Sequence, residues 1–185
     1  MKSQRSPHSW PLRLGVIAGV LALTLVLSAC GFGLRAPVDY PFHTLYSSAP
    51  RYSPLGAELQ RQLPASGKLV YLTQPAQPTD AQVVLDVFGE QRKKTVIGVN
   101  ATGQAREFQL TLTLKFRLRV PQSHVVIPDT TLTQQRTMSY DETLALAKEA
   151  EEAALYRSMQ VDLVQQIVRR LAALDAKALE KSSDE

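Results

Sequence analysis

The sequence predicts an α+β domain of two layers. Two helices pack on one face of a mostly antiparallel, mixed sheet of four to five strands. Three observations carry this. Residues 108–120 alternate apolar and polar at every one of thirteen positions, from Phe108 to Val120. Only a strand with one buried and one wet face keeps that period. Residues 144–174 contain neither Gly nor Pro, and Leu155, Met159, Leu163, Ile167 and Leu171 recur at a spacing of four. That spacing lays one apolar stripe along a helix. Finally, the segments read in order as strand, helix, strand, long hairpin, strand and long helix, which a single sheet with helices on one side accommodates.

Each element has a local reason. Residues 36–54 carry Pro37, Pro41, Pro50 and Pro54, and their first part reads as a tether. Residues 41–46 alternate and form a first strand. Residues 53–63 are a short helix: Ser53 caps it, Pro54 suits its first position, and Leu55, Leu59 and Leu63 share a face. Pro64 and Gly67 end it. Residues 68–72 are a strand and 73–80 a loop. Residues 81–98, rich in Val, form the first arm of a hairpin whose turn is Asn100-Ala101-Thr102-Gly103. Pro121 stops the second arm. Residues 125–140 are a further strand, with Pro128 near its start. Residues 176–185 are expected to be disordered.

The amino terminus has a different character. Lys2, Arg5 and Arg13 precede an uncharged run at 14–27. A basic start, an apolar middle and a small-residue end make a secretory signal, and the run falls short of the ~20 apolar residues of a membrane span. Leu27-Ser28-Ala29-Cys30 resembles the lipobox of bacterial lipoproteins. That resemblance implies cleavage before Cys30, an S-diacylglyceryl group on its thiol and an acyl group on the new amino terminus. More than one chain is what stable anchoring requires. Gly31, in place of an aspartate, implies sorting to the outer membrane by the same resemblance. The expected organisation is a cleaved signal at 1–29, a lipidated tether at 30–40, one domain at 41–175 and a tail at 176–185.

Removing the signal takes three basic residues and lowers the formal net charge from +4 to +1. A nucleic-acid binder working through bulk charge is therefore not expected. Cys30 is the only cysteine, so the fold does not depend on disulfides. The mature histidines, His43 and His124, stand far apart without metal-ligand spacing, and no nucleophile elbow or phosphate-cradling loop is present. No catalytic residue, metal or cofactor beyond the covalent lipid is expected. Asn100-Ala101-Thr102 matches a glycosylation sequon, but beside a bacterial lipobox it reads as a turn. Glu149, Glu151 and Glu152 suit an early helical turn. Basic residues are the remaining signal. Arg92, Lys93 and Lys94 stand together on one long strand, Arg106 on the next, with Lys115, Arg117 and Arg119 beyond. Such residues blunt an edge strand, or they line a rim for an anionic, partly apolar ligand.

Across the whole mature chain the sequence resembles the LptE family of lipopolysaccharide-assembly lipoproteins. The resemblance is carried by Cys30-Gly31-Phe32-Gly33-Leu34-Arg35 and by Asn100-Ala101-Thr102-Gly103-Gln104-Ala105-Arg106-Glu107-Phe108. It continues in Met138-Ser139-Tyr140-Asp141, in Leu144-Ala145-Leu146-Ala147-Lys148-Glu149 and in Ile167-Val168-Arg169-Arg170-Leu171. It implies a non-enzymatic protein that plugs the β-barrel LptD, expected as a 1:1 partner, assists its assembly, and binds lipopolysaccharide on its way to the outer leaflet. Lys148 matches the lysine of the family's Ala-Leu-Ala-Lys segment and is the implied phosphate contact. Some relatives carry an Arg before the turn where this chain has Val99, so Arg106, or Arg92, Lys93 and Lys94, are the candidates to substitute. The alternative is a free-standing periplasmic lipid-binding or transport-auxiliary lipoprotein.

Overall fold

The computed structural model describes residues 38–180. The expected signal and most of the expected tether, with Cys30, lie outside the described residues. A five-stranded mixed sheet runs in the order β2-β1-β3-β4-β5. Its strands are β1 (Thr44–Ser47), β2 (Val70–Leu72), β3 (Val83–Val99), β4 (Ala105–Arg119) and β5 (Val125–Ser139). β1 pairs parallel with both β2 and β3, while β3, β4 and β5 form an antiparallel meander. The helices are α1 (Pro54–Gln62) and α2 (Ala145–Ala172), with a short turn, α3 (Lys177–Glu180).

Local chemistry explains the helix ends. The Ser53 hydroxyl accepts from the Gly56 amide at 2.9 Å, capping α1. Gly56 also has a steric reason: a Cβ there would stand 2.1 Å from the Pro50 carbonyl oxygen. Asp141 caps the single 3₁₀ turn Glu142–Leu144 that leads into α2, accepting from the Thr143 amide at 3.0 Å.

β4 is the spine of the core. Leu110, Leu112, Leu114, Phe116 and Leu118 are buried beneath Met159, Leu163, Ile167 and Leu171 of α2, and Leu55 and Leu59 of α1 join the same cluster. A second, smaller cluster lies on the opposite face. Tyr46 and Val84 point away from Leu45 and Leu85, and meet Ala81 and Leu72 under the connection from β2 to β3.

Two expectations at the chain's margins are corrected. Tyr40, placed at the end of the tether, is buried, its ring stacked on Phe42 at 5.5 Å. The tail expected to be disordered from 176 instead folds back over Lys177–Glu180. Leu179 packs on the core, and His124 Nε2 lies 2.9 Å from the Ala178 carbonyl oxygen.

Candidate functional site

The far end of the meander, where the β3–β4 turn meets the start of α2, gathers most of the expected basic residues. A bulge decides which face each occupies. Phe88 opposes Lys115 and Gln91 opposes Thr113, so β3 advances three residues while β4 advances two. Gly89, at φ +69°, takes the left-handed conformation that this extra residue needs. The slip reverses the alternation. Before it Leu85 and Val87 face the helices; beyond it Arg92 and Lys94 do, opposite Leu112 and Leu110. Lys93 is turned to the open face.

On the helix side, Lys94 Nζ pairs with Glu152 Oε2 at 2.6 Å and stands 4.4 Å from the Phe108 ring centroid. Phe108 meets Tyr140 edge-on at 5.1 Å. Arg92 pairs with Glu90 at 3.2 Å and lies over Tyr156 at 5.1 Å. Tyr156 donates its hydroxyl to the Lys93 carbonyl at 3.1 Å, and burial pushes that phenol up from its ordinary pKa. Arg92 and Lys94 line a shallow hollow with Glu149 and Glu152, so their charge is answered within the protein. Lys93 carries no ion pair among the described residues.

Lys148 and Arg106 form a separate group around Asp141. Lys148, 15% exposed at its side chain, donates to Ser139 Oγ at 3.1 Å and to Glu151 Oε2 at 2.8 Å. An ammonium has three donors, so one remains for a ligand. Arg106 is exposed, and its carbonyl accepts from the Tyr140 amide at 2.8 Å. The two hydrogen bonds from Thr143 hold the Asp141 carboxyl below the usual carboxylate range, with smaller help from the charges of Arg106 and Lys148. The five candidates are thus split three ways: Arg106 with Lys148, Arg92 with Lys94, and Lys93 alone on the other face.

Two features at this end are not in the sequence reading. One is the pairing of Glu90, Glu151 and Glu152 with the cations, where the sequence reading takes Glu151 and Glu152 only as acids of an early helical turn. The spacing of Lys148 and Glu151 along the helix is the visible signal for one of them. The other is an apolar rim. Val96, Ile97, Val99, Leu144 and Leu146 are exposed, Leu146 by 81% and Val99 by 61%. Among the described residues no group of His, Cys, Asp and Glu is arranged to hold a metal, and no helix is long and apolar enough to cross a membrane.

Comparison with known proteins gives a consistent result. The model of the family described as "LptE: Lipopolysaccharide-assembly" matches residues 42–171. The LPS-assembly lipoprotein LptE of Yersinia pestis (strain Pestoides F) is 28% identical over 180 residues, covering 94% of this chain and 84% of that protein. Among solved structures, lipoprotein B of Nitrosomonas europaea is 27% identical with a TM-score of 0.63, covering 84% of this chain and 99% of that one. The rare lipoprotein B of Shewanella oneidensis, 20% identical over 71% of this chain and 95% of its own, shares the fold with a TM-score of 0.59.

Proposed function

The chain belongs to the LptE family of lipopolysaccharide-assembly lipoproteins, and on that premise we propose that it binds lipopolysaccharide at the far end of its sheet and plugs an LptD-like barrel of the outer membrane. The observation that carries the ligand reading is the placement of Arg106 and Lys148 around Asp141, beside the exposed rim of Val96, Val99, Leu144 and Leu146. A phosphorylated lipid needs both parts: cations for its phosphates and an apolar wall for its chains. Arg92 and Lys94, each paired with one acid and lying over an aromatic ring, form the wall beside these cations.

The barrel reading draws on the open face of the meander. Thr111, Thr113, Thr131, Thr133, Gln135 and Thr137 alternate there with the buried set, so β4 and β5 present a largely polar face, with Phe88 of β3 an exposed apolar exception. A plug inside a barrel lumen meets a polar wall. Acylation of Cys30 anchors the protein to the outer membrane, with the segment before the domain as its tether.

Two measurements test this. Lys148→Gln with Arg106→Gln lowers affinity for purified lipopolysaccharide about tenfold or more, since each charge-assisted hydrogen bond is worth ~1.5–3 kcal/mol. Unchanged affinity sinks the ligand assignment. Affinity capture from detergent-solubilised outer membranes recovers a large β-barrel at equal stoichiometry. Recovery of the lipoprotein alone moves the reading to a free-standing lipid-binding lipoprotein.

A further inference from the structure

A second site lies where β1 and β2 end. The two strands are parallel neighbours, so their carboxyl ends open on the same side. The chain leaves them in opposite directions. After Ser47 it passes to α1, which packs with Leu45 on the helix-covered face. After Leu72 it crosses the other face, where Ala81 covers Tyr46 and Val84. Connections that part in this way open a crevice at the strand ends, the usual ligand position in sheets with parallel strands. Here the crevice encloses about 690 Å³ between residues 46–52 and 73–77.

Its lining has unspent capacity. The Ser47 hydroxyl is taken by the Ala49 amide and the Ser48 hydroxyl by the Val87 amide. The side chains of Thr73 and Gln74 have no hydrogen-bond partner among the described residues. Tyr52 is 93% exposed and lines the crevice together with Pro50 and Pro75. The Arg51 guanidinium lies 6.0 Å from that ring, and no acid lines the crevice. One flat ring, a free amide, a free hydroxyl and one uncompensated cation together fit a sugar. The ring takes the apolar face of a pyranose, Gln74 and Thr73 take its hydroxyls, and Arg51 takes a carboxylate or phosphate bidentately. A polyproline peptide docks in grooves lined by several aromatic side chains; this crevice has one exposed ring.

We propose that this crevice is a saccharide site for an oligosaccharide bearing an acidic group. The proposal does not rest on the lipid site. Val87, beside the crevice, stands twelve residues along β3 from Val99, about 40 Å at ~3.3 Å per residue.

Titration calorimetry on the full-length protein tests it with two soluble probes: deacylated lipopolysaccharide core oligosaccharide and muropeptides from digested peptidoglycan. A neutral maltooligosaccharide serves as reference. At least one acidic probe binds, and which one does so identifies the source. Tyr52→Ala lowers that affinity at least tenfold. Arg51→Ala removes the preference over the neutral sugar. Both residues are at the surface, and an unchanged thermal midpoint confirms folding. Absence of binding by both probes at millimolar concentration overturns the proposal. So does binding that survives Tyr52→Ala but is lost in Lys148→Gln, which assigns the sugar to the lipid site.

Discussion

Val83, Val84 and Leu85 open β3 in complete burial, whereas residues 93–97 of the same strand are exposed. The difference is one of neighbours. All three residues pair with β1 on one side, and Val84 and Leu85 pair with β4 on the other, with helices over one face and the β2–β3 connection over the other. Past Val87 the outer edge has no strand beside it among the described residues, and α2 reaches the strand through polar contacts at Glu90, Arg92, the Lys93 carbonyl and Lys94. The start of β3 is thus buried on both faces, whereas beyond Val87 the core lies under β4 and the long helix and leaves β3 at the edge. The three-stranded extension is free to carry charge and exposed apolar residues, because little of the fold depends on them.

The largest break in that contrast comes from the core. Phe116→Ala, beneath the helices, costs about 3–5 kcal/mol, while Val96→Ala on the extension stays within about 0.5 kcal/mol. Denaturant midpoints measured on both variants check the difference, and equal losses would refute the division. A smaller effect belongs to Asp86, on the open face of the wide half. It accepts from Arg119 Nε at 2.9 Å and Arg117 Nε at 3.0 Å. Burial raises its pKa, but the two guanidinium hydrogen bonds outweigh this and leave the carboxyl below its ordinary 3.8. A lowered native pKa gives stability that is complete above the unfolded value and lost as pH falls through the native one. Asp86→Asn therefore lowers the thermal midpoint at neutral pH and converges on the parent as pH drops below 3.8. A constant gap would mean that the ion pairs do not contribute. The smallest effect is expected at Lys93, on the open face of the extension and without an ion pair. Lys93→Ala shifts stability by less than about 0.5 kcal/mol, which chemical unfolding resolves.

The same division governs what the sequence makes legible. β4 is visible from its alternation because it is covered on one face along its length. The α2 stripe is visible for the same reason, and Ser53 and Pro54 mark α1. The facing of Arg92, Lys93 and Lys94 is not legible. It depends on a bulge at Gly89, and a shift of one residue exchanges the two faces. The partnership of Lys94 with Glu152 spans 58 residues and follows from tertiary packing alone. The crevice is hidden for a related reason. It arises from two connections taking opposite faces, whereas the sequence shows only loops with Pro50 and Pro75. Lys148 follows from the resemblance and Arg106 from the cluster of basic residues on the hairpin, but that both act on Asp141 is visible only in the fold.

The folded-back turn at Lys177–Glu180 has a practical meaning for anyone handling this protein. Leu174, two residues past the end of the long helix, looks like a natural place to truncate or to fuse a reporter. Cutting there removes Leu179 from the core and the carbonyl of Ala178 from His124, leaving a greasy patch at the junction with the β4–β5 turn. Affinity tags and fluorescent fusions therefore belong beyond Glu180, where they leave that seal intact.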